Sequence, residues 1–389
     1  MPKKVLIFSL AYFPKFVGGA EVAVKEITER ISDIEWHMVT LRFDRAAPDI
    51  EKIGNVTVHR VGSRGSYLSK MIFLPLAALK ARRLHREKSF DAAWAMMSYM
   101  LLPLIFARLR LPYVLTLQEG DTEHHMFGRL RILPFLPFIN YGFRHASIVQ
   151  AISTYLGTWA RRRGFKGPLE IIPNGVDVPR FSETYPPRVI DEVKDELGKR
   201  MGDVFLVTTS RLVHKNALDV CLTALTMLPE HVRFVVIGTG PLESDLKLKT
   251  RNLKLESRVQ FIGHIGHEEL PKYLKACDIF VRPSRSEGMG NSFIEAMAAG
   301  LPVVATQEGG IADFLFDEKR NPDREITGFA VDKDSSEEIA LQVKNIMEHP
   351  EKTRAVVATA RAMVLEKYDW DILAKDMREK VFGRVIKTS

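Results

Sequence analysis

A chain of 389 residues exceeds the length over which one hydrophobic core keeps growing, which points to two domains. Its 46% hydrophobic and 27% charged residues are ordinary globular values and exclude a disordered or fibrous chain. The net charge of +8 suits a phosphorylated substrate or an acidic membrane surface; nucleic acid is disfavoured, because the bases are dispersed and no reader motif is present.

From the N-terminus, the first apolar run is residues 5–10, after Lys3 and Lys4. No small-residue cleavage site follows, so a buried first strand is expected rather than a signal peptide. Tyr12-Phe13-Pro14 and then Gly18-Gly19-Ala20-Glu21 lead from that strand into an amphipathic helix. Further strands are expected at 36–41, 56–60, 92–95, 113–117, 148–151 and 170–172, and in the second half at 204–210, 232–238, 259–262, 279–282, 303–305 and 328–331. Such runs alternating with longer helical patterns indicate an α/β fold, with a doubly wound parallel sheet in each half. The most apolar stretch, 92–107, contains Pro103 and is shorter than the roughly 20 residues of a spanning helix, so no transmembrane segment is expected. Cys221 and Cys277 match no zinc or redox spacing and are expected as buried thiols in a reducing, cytoplasmic compartment.

Between the halves, Pro173-Asn174-Gly175-Val176-Asp177, followed by Pro179, Pro186 and Pro187, forms a hinge. The expected domains are therefore 1–178 and 179–368. The tail from Asp369 to Lys387 is expected as one helix, with Trp370, Leu373, Met377 and Val381 on one face.

The most informative stretch runs from Pro283 to Pro302, Pro-Ser-Arg-Ser-Glu-Gly-Met-Gly-Asn-Ser-Phe-Ile-Glu-Ala-Met-Ala-Ala-Gly-Leu-Pro. It follows a predicted strand and enters a short helix. Gly288 and Gly290, flanking Met289, permit close backbone approach, and the helix-start amides near Asn291 and Ser292 suit a phosphate or sugar oxygen. Glu287 on the loop and Glu295 one turn into the helix can grip two hydroxyl-bearing groups of one extended ligand, such as a sugar and a ribose. The competing reading is a helix start whose acidic residues only offset the dipole.

Ser210-Arg211-Leu212-Val213-His214-Lys215-Asn216 follows the first strand of the second half, where doubly wound sheets bind ligands. Arg211 and Lys215 there are expected to converge on a diphosphate, through charge-assisted contacts that contribute about 1.5–3 kcal/mol each; a solvated basic loop is the competing reading. The next strand opens into Gly238-Thr239-Gly240-Pro241-Leu242, a glycine turn that lets a base or ribose approach the backbone. In the first half, Gly18 and Gly19 can bring amides towards phosphates, although their spacing is not the dinucleotide-binding signature.

Together these segments resemble the retaining glycosyltransferase family 4, the glycosyl transferases group 1. The resemblance spans nearly the whole chain: Gly18-Gly19, the 172–177 segment, Ser210-Arg211-Leu212 with Lys215, the 238–242 turn, and Glu287 through Glu295. It implies the GT-B fold, two Rossmann-like domains facing across a cleft, with the acceptor on the N-terminal side, the nucleotide-sugar donor on the C-terminal side, and helix 369–389 crossing back to the first domain. It also implies that Arg211 and Lys215 hold the donor diphosphate, Glu287 the sugar hydroxyls and Glu295 the ribose. Arg211, Lys215 and Glu287 are thus the expected catalytic residues. Gly18, Gly19, Gly240, Pro241, Leu242, Gly288, Met289, Gly290, Asn291, Ser292 and Glu295 are the expected donor-binding residues. One departure stands out. Where the family commonly has a histidine after the strand corresponding to 113–117, this chain has Gln118, which hydrogen-bonds but cannot carry a proton. Asp121 and His124 are the nearby candidates for an acceptor or sugar loop.

The function implied is transfer of a sugar, with retention, from a nucleoside-diphosphate sugar to a hydroxyl on a glycan, glycolipid or small-molecule acceptor. No metal or separate cofactor is expected. Asp369-Trp370-Asp371 mimics a metal-binding D-x-D motif, but its place at a helix start favours capping. The basic run Lys80, Arg82, Arg83, Arg86 and Lys88 follows Met71, Ile72, Phe73 and Leu74, and the Phe- and Leu-rich 130–143 segment follows Arg129. Both suit a cytoplasmic enzyme touching the inner membrane face, although a solvated helix face explains them equally. A sugar-nucleotide epimerase and a non-catalytic nucleotide-sugar sensor are the rival readings.

Overall fold

The computed structural model describes residues 2–15, 17–63 and 65–386, and Lys387 of the expected terminal helix lies outside them. The chain forms two compact units. The first runs to Asn174 and resumes at Trp370, and the second spans Gly175–Asp369, so the division falls after 174 rather than 178. Val176 and Asp369, where the chain enters and leaves the second unit, pair as a parallel bridge, with the Val176 amide donating to the Tyr368 carbonyl at 2.8 Å.

The first unit is built on an eight-stranded sheet: β1 (Lys3–Phe8), β2 (Ile34–Leu41), β3 (Ile50–Ile53), β4 (Val56–Val61), β5 (Ala92–Met96), β6 (Tyr113–Leu117), β7 (Ile148–Ala151) and β8 (Leu169–Ile171). Their order is β3-β4-β2-β1-β5-β6-β7-β8, all parallel except the β3–β4 pair. Central strands covered by helices on both faces must be apolar throughout. Val5, Leu6, Ile7 and Phe8 accordingly have no exposed surface. The β3 strand was not expected: its sequence, Ile-Glu-Lys-Ile, is short and mostly exposed. Its charged centre suits an edge, where it discourages pairing with another chain.

The second unit carries β9 (Val204–Thr209), β10 (Val232–Ile237), β11 (Val259–Gly263), β12 (Ile279–Arg282), β13 (Val303–Ala305) and β14 (Phe329–Ala330) in the order β11-β10-β9-β12-β13-β14. All its pairings are parallel.

The C-terminal tail joins the core of the first unit. Trp370, Leu373, Met377, Val381 and Phe382 cluster with Trp36, Trp94 and Ile7. The Phe382 ring lies 5.1 Å from both Trp36 and Trp94, edge-on to each. The tail is not one regular helix: Trp370–Asp376 is α-helical, Met377–Phe382 forms a wider π turn, and Gly383–Val385 resumes. The widened turn lets the sequence neighbours Val381 and Phe382 both reach the core, which a regular 3.6-residue repeat does not favour. Among the described residues, no helix is long and apolar enough to cross a membrane.

A buried histidine pair ties β2 to β4. His37 Nδ1 lies 3.1 Å from His59 Nε2, and His37 Nε2 lies 2.7 Å from the Glu35 carboxylate. Burial, aided by His37, Lys80 and Lys88, pushes the His59 pKa down to about 4 from 6.5. A histidine lowered in this way is neutral in the fold. Below about pH 6.5 the unfolded chain binds a proton that the folded chain refuses, so this group removes about 1.4 kcal/mol of stability per pH unit down to about pH 4. Urea unfolding of the wild type and of His59→Asn between pH 7 and pH 4 should show the wild type losing more stability on acidification; parallel curves contradict the assignment.

Candidate active site

In the second sheet the strand order reverses between β9 and β12, the place where doubly wound sheets bind ligands beyond the carboxyl ends of their strands. The loops leaving those two strands carry Arg211 and Lys215 on one side and Glu287 on the other.

The 210–216 loop has a fixed shape. Buried Asn216 donates from Nδ2 to the Arg211 carbonyl at 2.7 Å. The 238–242 turn is docked on it, with the Leu212 amide bonded to the Thr239 carbonyl at 3.0 Å and the Leu242 amide to the Leu212 carbonyl at 3.1 Å. A Cβ on Gly240 would lie 2.5 Å from the Leu212 carbonyl oxygen, so that glycine is required by backbone approach. Pro241 is exposed, while Leu242 packs on the core of the unit. Arg211 itself is exposed.

Arg285, which sequence analysis did not single out, clamps this loop to the one after β12. Its amide donates to the Lys215 carbonyl at 2.7 Å and its Nη1 to the His214 carbonyl at 2.7 Å. Its guanidinium binds both oxygens of Asp219, at 3.0 and 2.8 Å, and reaches Asp334 at 2.6 Å. Asp219, then Asp334, holds that guanidinium above its ordinary pKa against the opposing effect of burial.

Glu287 is only 9% exposed. Its Oε2 accepts from Arg282 Nη2 at 2.9 Å, while its Oε1 accepts from the Gly288 amide at 3.1 Å and lies 3.8 Å from Lys215 Nζ. The Gly310 amide donates to the Glu287 carbonyl at 3.0 Å, and Gly309, at φ 65°, presses its backbone onto the same carbonyl. Arg282, 5% exposed at the end of β12, also donates from Nη1 to Ser292 Oγ at 2.6 Å and to the Thr209 carbonyl at 3.3 Å. Its guanidinium stacks 4.0 Å from the Phe293 ring centre. Burial pulls Arg282 below its ordinary pKa, opposed by Glu287 and Glu295.

The helix Asn291–Ala298 follows Gly290, whose φ of 92° requires glycine. Its positive end is at Asn291 and Ser292, both half-buried. Glu295 is 7% exposed and 4.0 Å from His267 Nε2. Burial raises its pKa against the pull of His267 and Arg282. Met289 is buried, so only its backbone can face a ligand.

In the first unit, Gly18 and Gly19 are exposed at the start of the helix Gly19–Arg30, but the Gly18 amide already donates to Glu21 Oε2 at 3.0 Å. Gln118 is buried and exchanges two hydrogen bonds with Asn174, at 3.0 and 3.2 Å. Its amide is thus committed to Asn174 of the 173–177 turn. Asp121 is partly exposed and His124 exposed, next to the short helix Glu123–Phe127. The neighbouring Glu119 turns inward and accepts from the Ser98 amide at 2.6 Å, with burial raising its pKa. Asp371 pairs with Arg30 at 2.5 Å, Trp370 is buried, and Asp369 forms the bridge to Val176, so the D-x-D segment is used in folding.

The second unit therefore gathers Lys215, Glu287, the glycine turn, Ser292 and Glu295 around a buried guanidinium. Two doubly wound units, with these side chains gathered at the switch point of the second, define a GT-B glycosyltransferase. The family model for glycosyl transferases group 1 matches residues 189–363, and that for glycosyltransferase family 4 matches residues 17–180. The chain belongs to this family of glycosyltransferases. It is 26% identical over 388 residues to a GDP-mannose-dependent α-(1-6)-phosphatidylinositol monomannoside mannosyltransferase of Mycobacterium tuberculosis, covering 95% of this chain and 96% of that one. It is 25% identical to the α-monoglucosyldiacylglycerol synthase of Streptococcus pneumoniae over 78% of this chain and 70% of the relative. The crystal structure of Anabaena HepE in complex with UDP-glucose superposes with a TM-score of 0.79 at 22% identity, covering 98% of this chain and 99% of HepE.

Proposed function

We propose that this glycosyltransferase moves a sugar from a nucleoside-diphosphate sugar held by the second unit to a hydroxyl of a lipid-borne acceptor, with retention and without a metal or other cofactor. The observation that carries the donor assignment is the convergence of Lys215 with Glu287 at the carboxyl ends of β9 and β12, beside the positive end of the helix Asn291–Ala298. Arg211 and Lys215 place two cations where the leaving diphosphate gains charge, which supplies electrophilic stabilisation in the absence of a divalent ion. Glu287 receives a sugar hydroxyl. Glu295, buried and close to His267, receives the ribose, since a carboxylate is a strong acceptor for paired hydroxyls. With no protein nucleophile assigned, the acceptor hydroxyl attacks on the face the diphosphate leaves.

Lys215→Ala should lower kcat/KM for the sugar donor by about 10²–10³-fold, the range seen on removing one charge-stabilising group. Glu295→Ala should chiefly raise the donor KM. Wild-type turnover in both variants defeats the donor assignment.

A lipid-borne acceptor fits the glycolipid substrates named for the mannosyltransferase and synthase relatives. It also fits the first unit, whose sequence carries 30 Lys and Arg against 17 Asp and Glu, while the second carries 26 against 31. On the helix Tyr67–Lys88, Phe73, Ala77, Ala81 and Leu84 face the core. Leu68, Ile72 and Leu79 lie exposed on another stripe that continues into exposed Arg83 and Arg86. Arg131 stacks 5.3 Å from the Tyr67 ring, bringing the 129–133 segment, with Leu130 84% exposed, to the start of that helix. Apolar side chains flanked by bases suit an anionic interface, which supports a position for the enzyme at the inner face of a membrane. The protein should sediment with phosphatidylglycerol-containing vesicles at low salt and be released at high salt; equal recovery with and without vesicles removes the membrane reading.

A further inference from the structure

Arg282 closes the otherwise apolar strand Ile279-Phe280-Val281 and is almost wholly buried. Apolar side chains of equal volume often replace a buried ion pair at no cost in stability, so stability gives no reason for a guanidinium here. Its contacts instead all belong to one site. They are the Thr209 carbonyl at the head of the 210–216 loop, Glu287 Oε2, Ser292 Oγ and the Phe293 ring. A Cβ built on Gly290 would lie 2.7 Å from Nη2, so the guanidinium is also the floor of the glycine turn. A lysine has no planar fork to serve a carboxylate, a hydroxyl and a carbonyl while stacking on a ring.

We propose that Arg282 is the positioning residue of the donor site. It holds one oxygen of Glu287 and so turns the other towards Lys215, and by donating to Ser292 Oγ it leaves the Ser292 hydroxyl proton to point at a ligand oxygen. This rests on the reading of the site as the nucleotide-sugar site. Two consequences follow from the geometry. Glu287 offers the sugar a single oxygen, because the guanidinium occupies the other. Ser292, whose oxygen already accepts, serves as donor to the diphosphate or sugar. The charged groups around Glu287 are Arg282 from β12 and Lys215 from the loop after β9, and Glu295, itself 4.0 Å from His267 Nε2, also acts on Arg282.

The test compares wild type, Arg282→Lys, Arg282→Met, Glu287→Gln and the Met/Gln double variant. UDP and GDP binding is followed by calorimetry, and turnover is measured with UDP-glucose and GDP-mannose. Arg282→Met should lower kcat by about 100-fold while nucleoside-diphosphate affinity changes far less, because the group lost acts on the sugar's position. The double variant should be no worse than Arg282→Met alone, and Arg282→Lys should recover part of kcat. Wild-type kcat in Arg282→Met overturns the proposal, as do losses that multiply in the double variant. If Arg282→Met does not fold, Arg282→Lys decides, and wild-type kcat there overturns the proposal. Wild-type turnover in Glu287→Gln and Lys215→Ala would instead bring down the donor-site reading itself.

Discussion

The candidate site depends on one buried ion pair, Arg282 with Glu287, at 2.9 Å. Either charge alone in that position would be strongly destabilising, because neither is adequately solvated. Together they join the end of β12, the glycine turn and the start of the helix Asn291–Ala298 into one piece. Arg285, three residues on, extends the same piece to the 210–216 loop through Asp219 and the backbone of His214 and Lys215. Loops at the carboxyl ends of a parallel sheet are otherwise its most variable part. Here two arginines tie them together, with the Lys215 ammonium 3.8 Å from Glu287.

The glycines in this region serve that close packing as much as ligand approach. Gly240 and Gly309 let neighbouring backbones meet Leu212 and Glu287, and Gly290 clears the space occupied by Arg282 and Phe293. Pre-organisation of this kind lets binding energy go into the developing charge rather than into ordering loops. The charge of the chain is unevenly divided: bases outnumber acids in the first unit, and acids outnumber bases in the second.

Much of the fold was legible because central parallel strands are buried on both faces and must be continuous apolar runs. β6, β7, β12 and β13 start and stop where the sequence places them. The antiparallel β3 was not, since an exposed four-residue edge strand has neither periodicity nor hydrophobicity to mark it. The terminal helix was legible as an amphipathic face, but its widened turn depends on the shape of the pocket formed by Trp36 and Trp94. In the site, the Glu287–Glu295 stretch announced itself through glycines and acids. Arg282 and Arg285 did not, although an arginine ending an apolar strand signals a buried countercharge and could have been read as such. Gln118 was visible as a departure; its bonding to Asn174, 56 residues away, was not, because nothing local encodes so distant a pairing.

A crystal structure of this protein with UDP or GDP tests the central claim most directly. The account predicts the diphosphate beside Arg211, Lys215 and the amides from Gly288 to Ser292, with the ribose on Glu295 and the Arg282–Glu287 pair undisturbed. A nucleotide bound elsewhere, or one that enters only after Arg282 releases Glu287, would contradict it.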